Sequence, residues 1–237
     1  MTDFTLERVV IPPHLDHPDA VDFIATAQVR NAVAADGYGT DELSLTPAEL
    51  LPVWLDQEYE PKQLFAARVD GRIVARATFQ TRASAADDVA WVAVQVHPQF
   101  QHRGIGTALA DHLEILATEQ QCTNIVVYTA SRAAEGRRLE SPTGFGSVPA
   151  ANSEVRFLLV RGYQLEQVER VSRLALPVSS ATIDRYVDES AGRAGARTRS
   201  AGRYPARARR RGRSGRRRGH GGCRTVPPRR AARGWAA

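Results

Sequence analysis

Lysine is almost missing from this sequence: Lys62 is the only one among 237 residues, against 31 arginines. A phosphate-gripping loop in which lysine follows the glycines is thereby excluded. Cysteine is scarce too, with Cys122 in the body of the chain and Cys223 near its end. Two such residues make no disulfide framework, and no C-x-x-C pair or Cys/His cluster offers metal ligands. Cys122 is read as a small core or helix-end residue, and no metal is expected. No apolar run reaches the roughly 18 residues of a membrane span. The opening stretch MTDFTLERVVIPPHL has no basic segment leading into an apolar one, so no secretory signal is expected. The expectation is a cytoplasmic protein that does not engage membrane.

Acidic residues are missing from one end. All 26 lie at or before Glu189, together with 16 of the 32 basic residues, so this body carries a net −10. The 48 residues that follow carry 16 arginines and no acid. The overall charge of +6 therefore describes neither part, and no nucleic-acid role is expected of the folded body. If anything, its acidity favours a cationic partner.

What is present is a regular alternation of elements. FTLERVVIPP reads as a strand closed by Pro12 and Pro13. A helix follows, with Asp19 as its cap, Val21, Ile24, Ala25, Val29 and Val33 at helical spacing, and its end at Gly37. TPAELLPVWLDQE predicts a second helix with Thr46 as cap and Pro47 at its first position, kinked or divided at Pro52. LFAARV and RIVARATFQT flank Asp70-Gly71, the pair that a type I′ hairpin turn favours. The strand VAWVAVQV comes next, followed by a glycine-bearing loop and a helix. NIVVYTA then forms a buried strand, and GRRLESPTGFGSVPAANS a long loop. The body closes with the helix EVRFLLVRG and one or two strands in YQLEQVERVSRLALP. The order predicts an α/β fold: a mixed sheet, largely antiparallel, joined by one parallel strand–helix–strand crossover and covered by helices on both faces.

The loop between VAWVAVQV and its helix carries the chemistry. Gly104-Ile105-Gly106 supplies only two glycines of a dinucleotide fingerprint, because the third position is Leu109. The remaining reading is an anion cradle. Amides that open a helix point outward unpaired, the helix dipole adds positive charge, and glycines let a phosphate approach. Arg103 adds a full charge. Behind the loop Ile105, Leu109, Leu113 and Leu116 form an apolar stripe.

Gln101-His102-Arg103-Gly104-Ile105-Gly106, preceded by V-x-V-H-P-x-F and followed by that amphipathic helix, resembles the acetyl-CoA-binding motif of the GNAT acetyltransferase superfamily. Phe157 to Tyr163 resembles the family's late helix ending in Gly-aromatic, and the element order matches over roughly residues 4 to 178. The resemblance implies the GNAT fold, with acetyl-CoA as cosubstrate and direct transfer of the acetyl group to a primary amine of a small molecule or protein. It places the diphosphate on the amides around Arg103, Gly104, Ile105, Gly106 and Thr107, with Gln101 beside them. It pairs the pantetheine arm with the backbone of Val94 and Val96, where their strand splays from NIVVYTA.

The family's usual tyrosine, which protonates the departing thiolate, falls at Leu158, which has no proton to give. Tyr128 is the nearest substitute, although a core role is the simpler reading. Asp87, Asp88 and Glu154 are conceivable bases, while His97 and His102 read as solvent-side loop residues and Asn152 as a helix cap. No catalytic residue is assigned. The body also resembles the N-terminal lobe of tandem GNAT proteins, and such a lobe can bind acetyl-CoA without catalysing transfer. The expected organisation is a GNAT domain over 1–178, a linker over 179–189 and a disordered tail over 190–237. Arg, Ala, Gly and Pro make up 38 of the last 48 residues. Two readings of that tail stand, an electrostatic arm for nucleic acid and out-of-frame translation of a GC-rich gene. The absence of lysine favours the second.

Overall fold

Proline and glycine punctuation sets most of the element boundaries in the computed structural model, which describes residues 3–82, 88–170, 176–200 and 229–236. Strand β1 (Thr5–Arg8) leads into helix α1 (Ala20–Tyr38). Asp19 precedes α1 without a side-chain cap bond, and the helix passes through the expected stop at Gly37. It ends instead at Gly39, left-handed at φ 72°, whose amide donates to Ala35 O at 2.9 Å. Gly37 answers a packing demand: a β-carbon there would lie 2.6 Å from Ala130 Cβ.

Helix α2 (Pro47–Leu55) begins with a capping box. Thr46 accepts the Glu49 amide through its hydroxyl, and the Glu49 carboxylate accepts the Thr46 amide at 2.7 Å. Pro52 lies inside α2, which remains one helix. Strands β2 (Lys62–Val69) and β3 (Arg72–Gln80) pair antiparallel across Asp70 (φ 48°) and Gly71 (φ 77°), the two positive φ angles of a type I′ turn. Strand β4 (Val89–Val96) pairs antiparallel with β3. A single 3-10 turn (Pro98–Phe100) then leads to α3 (Ile105–Glu119), and β5 (Asn124–Ser131) lies parallel to β4. Inside the long loop, β6 (Arg138–Glu140) and β7 (Ser147–Pro149) make a small hairpin that the sequence reading left as loop. Helix α4 (Ser153–Val160) and strand β8 (Gln164–Arg170) follow.

With β9 (Arg229–Ala236) the main sheet has, among the described residues, seven strands in the order β1-β2-β3-β4-β5-β9-β8. Strand alternation divides its faces. Phe65, Ala67, Ala75, Ala77, Phe79 and Val92 pack with Ile105, Leu109 and Leu113 of α3. Leu64, Ala66 and Ile73 pack with Phe23 and Ala27 of α1 and Leu50 and Trp54 of α2 on the other face. Ile105, Leu109 and Leu113 are each at most 1% exposed, a burial that stabilises by about 1.5–3 kcal/mol per side chain.

The chain divides into two compact units, one of Met1–Val171 with Val226–Ala237 and one of Ser172–Thr225. In the second, α5 (Ser180–Ser200) occupies most of the stretch read as linker and the first part of the stretch read as tail. Its alanines and arginines are strong helix formers. Residues 201–228 of the expected disordered tail lie outside the described residues.

Candidate active site

Strands β4 and β5 pair only from Val89↔Asn124 to Val92↔Val127. Beyond that point β4 stays with β3, through Ala77↔Val94 and Ala75↔Val96, and the two parallel strands part. The His97 amide donates to Val74 O at 2.9 Å, which fixes the parity of the antiparallel ladder. By that parity the main-chain groups of Val92, Val94 and Val96 turn away from β3, so those of Val94 and Val96 face into the opening. The expected splay is therefore present, with extended backbone along its edge.

A cavity of about 420 Å³ fills it. Val94, Gln95, Val96, Gln101, His102, Gly104, Gly106 and Thr107 line one side, and Tyr128, Thr129, Ala130, Glu154 and Phe157 the other. The first amide to join the α3 ladder is that of Ala108, which donates to Gly104 O at 3.1 Å. The amides of Ile105, Gly106 and Thr107 open the helix and point along its axis toward the cavity. Gly104 caps α3 in the left-handed region at φ 84°, with no side-chain cap bond and open space where a β-carbon would stand. A β-carbon at Gly106 would make only ordinary contact, at 3.5 Å from Val96 Cγ2. Both positions thus present bare backbone, which suits an anion that must come close.

The loop residues named from sequence do not all face the cavity. Gln101 lines it, but its side-chain amide donates to Val96 O at 3.3 Å, which ties the loop to the end of β4 and occupies that carbonyl. Arg103 is exposed, donates to Gln99 O at 3.0 Å and stacks 4.8 Å from the Phe100 ring centre. Ile105 is 1% exposed and belongs to the core, so only its backbone is free to act on a ligand.

Among the catalytic candidates, Tyr128 and Glu154 lie on the cavity wall. The Glu154 carboxylate accepts the Ser131 hydroxyl at 2.6 Å. Asn152 stands at the N-cap position of α4 but makes no side-chain cap bond. Its amide instead donates to Ser131 Oγ at 3.0 Å and Arg132 O at 2.8 Å, fastening α4 to the end of β5. Asp88 is far from this opening, at the start of β4, where it accepts the Thr123 hydroxyl. Asp87 lies outside the described residues. His97 accepts the Gln99 amide and packs 6.0 Å from Phe100, away from the cavity lining, whereas His102 reaches it. Leu158 packs against the apolar core, in keeping with a residue that transfers no proton.

The sequence reading missed the contribution of α1. Arg30, Ala34 and Tyr38 line the cavity from that helix. Burial lowers the Arg30 pKa, an effect opposed by Tyr38, and burial raises the Tyr38 phenol, with Arg30 pulling it back. Nothing local singles out Arg30, which stands between Gln28 and Asn31 in the sequence.

Among the described residues, no helix is long and apolar enough to cross a membrane, and no group of three or more His, Cys, Asp or Glu residues could hold a metal ion. The profile of the acetyltransferase (GNAT) family matches residues 34–138. Among solved structures, the chain is similar to a tandem GNAT protein of the clavulanic acid biosynthesis pathway at 16% identity and TM-score 0.48, covering 68% of this chain and 43% of that one. An N-acetyltransferase from Staphylococcus aureus Mu50 matches at 14% identity and TM-score 0.46, over 68% of this chain and 82% of that one. An aminoglycoside acetyltransferase from an uncultured soil metagenomic sample, in complex with sisomicin, matches at 18% identity and TM-score 0.47, over 74% and 97%. This chain therefore spans less than half of the tandem protein. No curated protein sequence matches it.

Proposed function

We propose that this protein, whose residues 34–138 match the acetyltransferase (GNAT) family profile, transfers the acetyl group of acetyl-CoA directly to a primary amine. The observation that carries the proposal is the splayed β4 edge meeting the amide-rich start of α3 at one cavity. The bare backbone at Gly104 and Gly106, with the amides of Ile105, Gly106 and Thr107, suits a diphosphate. Arg103 adds long-range attraction from outside. The main-chain groups of Val94 and the amide of Val96 suit the amide groups of a pantetheine arm, since Gln101 already occupies Val96 O.

Acetyl-CoA would supply an activated thioester. The amine nitrogen bonds to the acetyl carbon, the carbon–sulfur bond breaks, the amine loses a proton and the thiolate gains one. The protein must then orient the carbonyl and manage two protons. Asp36 and Glu154 are the carboxylates on the wall, and Glu154, named from the sequence, is suited to receive the amine's proton. Tyr128, on the β5 side of the opening, is suited to return one to sulfur. Leu158 leaves that second task to Tyr128 or to solvent. Tyr128→Phe should lower kcat with little effect on acetyl-CoA affinity, and Glu154→Gln should cost about 100-fold in kcat/KM. Calorimetric titration of the full chain with acetyl-CoA, followed by measurement of thiol release with a panel of amines, tests the assignment. Stoichiometric binding with amine-dependent release is expected, and absence of binding overturns it.

Leu158 also favours a second reading, a lobe that binds acetyl-CoA without catalysing transfer. Binding without thiol release for any amine would select it.

A further inference from the structure

The cavity reaches the face of the sheet covered by α1, where Arg30 and Gln95 form part of its wall. Gln95 stands directly opposite Arg76 of β3 in the antiparallel ladder, so the two side chains share that face. Arg76 is only 5% exposed, and its Nε has no hydrogen-bond partner. Its guanidinium lies 5.7 Å from the centre of the Trp54 ring, a contact that tolerates the charge without neutralising it. Arg30 donates only to neutral oxygens, Asn31 Oδ1 at 2.9 Å and Leu43 O at 3.4 Å. Burial first, and the nearby positive charge of Arg30 second, bring the Arg76 pKa down to about 9.

Among the described residues no carboxylate pairs with either arginine, although the body holds 26 acidic residues and a net −10. Two other arginines of the same body are closely paired: Arg68 with Glu7 at 2.6 Å and Asp22 at 2.9 Å, Arg161 with Asp111 at 2.6 Å and Glu114 at 3.0 Å. A buried cation without an anion is costly. A buried Arg76 with a half-buried Arg30 near it, beside a ligand cavity, leaves a place for an anion that the chain itself does not provide. The wall is mixed in sign, with Asp36 and Glu154 as well as Arg30 on it, so the anion site is local to Arg30 and the neighbouring Arg76 rather than a property of the whole cavity.

We propose that the acetyl acceptor is an amine that carries its own carboxylate, an amino acid or a close relative, with the carboxylate held by Arg30 and drawn in by the field of Arg76 while the amine reaches the β4–β5 opening. This rests on reading the cavity as an acetyl-transfer site. A planar guanidinium matches a carboxylate with two parallel hydrogen bonds, and Gln95 can donate a further one. Arg30 is the specificity residue, and Arg76 acts through it as a positioning residue.

The test compares α-amino acids with their carboxamides and their decarboxylated amines as acceptors for the full chain with acetyl-CoA, and measures protection against thermal unfolding by the same compounds in the presence of CoA. The expected result is a kcat/KM at least tenfold higher for the carboxylated member of a series, with the difference in KM. Arg30→Gln should collapse that ratio to near one. Arg76→Met, which removes a buried charge, should reduce the ratio without lowering the unfolding temperature. Amines turned over with no preference for a carboxylate would overturn the inference while leaving acetyl transfer intact. Amino acids that protect the protein through Arg30 without being acetylated would uphold the carboxylate site and defeat the transfer reading. Neither turnover nor protection would defeat both.

Discussion

A methyl group at position 37 would stand 2.6 Å from Ala130 Cβ, so α1 can lie against β5 beside the cavity only with glycine there. Gly37→Ala should destabilise by about 1–3 kcal/mol, read as a lower unfolding temperature, because neither packed element can yield freely. Gly106 poses the opposite case. A β-carbon there meets only Val96 Cγ2 at 3.5 Å and points toward the N-terminus of the helix, into the space assigned to the diphosphate. Gly106→Ala should leave stability unchanged or slightly raised and weaken acetyl-CoA binding at least tenfold by calorimetry. Unchanged affinity would remove Gly106 from the cradle. At Gly104, with φ 84°, any other residue adds about 1–2 kcal/mol of backbone strain, so a substitution there mixes folding with binding. The sequence showed that these glycines matter but could not separate their reasons. Gly37 looked like a helix stop because its true constraint, Ala130, lies 93 positions away in sequence.

Among the elements, those defined by local chemistry were legible and those defined by distant pairing were not. The Asp70-Gly71 turn, the β2–β3–β4 meander and the Thr46 cap of α2 follow from adjacent residues, and each is present. The exact point where β4 leaves β5, after Val92↔Val127, depends on long-range register, and nothing local in VAWVAVQV marks it. Resemblance supplied that feature, whereas the cavity-facing side of α1 had no such guide. The α2 cap allows a simple test. Thr46→Ala should cost about 1 kcal/mol in chemical unfolding. The Glu49 carboxyl is held below its ordinary range, first by the Thr46 amide and then by its hydroxyl. A depressed carboxyl contributes stability above its unfolded-state pKa and loses it as pH falls through the lower folded-state value. The difference between wild type and Thr46→Ala should therefore shrink as the solution is acidified through that window. Because the amide of residue 46 remains in the variant, a difference independent of pH would show that the carboxylate gains nothing from the Thr46 hydroxyl.

At the scale of the whole molecule, two oppositely charged stretches share one chain, a body at −10 and a terminal stretch with 16 arginines and no acids. The sequence states this division of charge directly, but the fold cuts across it, since Arg229–Ala236 of the terminal stretch forms β9 of the main sheet. The terminal arginines should bind duplex DNA without sequence preference, with an affinity falling steeply between about 50 and 200 mM salt as counterions are released. Fluorescence anisotropy checks this, and binding insensitive to salt would contradict it. The body's net charge gave a poor guide to the face under α1, where Arg30 and Arg76 lie near each other without a carboxylate partner among the described residues, although Asp36 and Glu154 also line the cavity. Net charge averages over a surface, while a ligand meets only a few buried groups. The central claim, that the amides opening α3 grip the diphosphate of acetyl-CoA, is reached most directly by following the backbone amide resonances of the isotopically labelled chain as acetyl-CoA is added. The account predicts the largest shifts at Ile105, Gly106 and Thr107, accompanied by Val94 and Val96. Saturation with acetyl-CoA that leaves those five amides unmoved would contradict it.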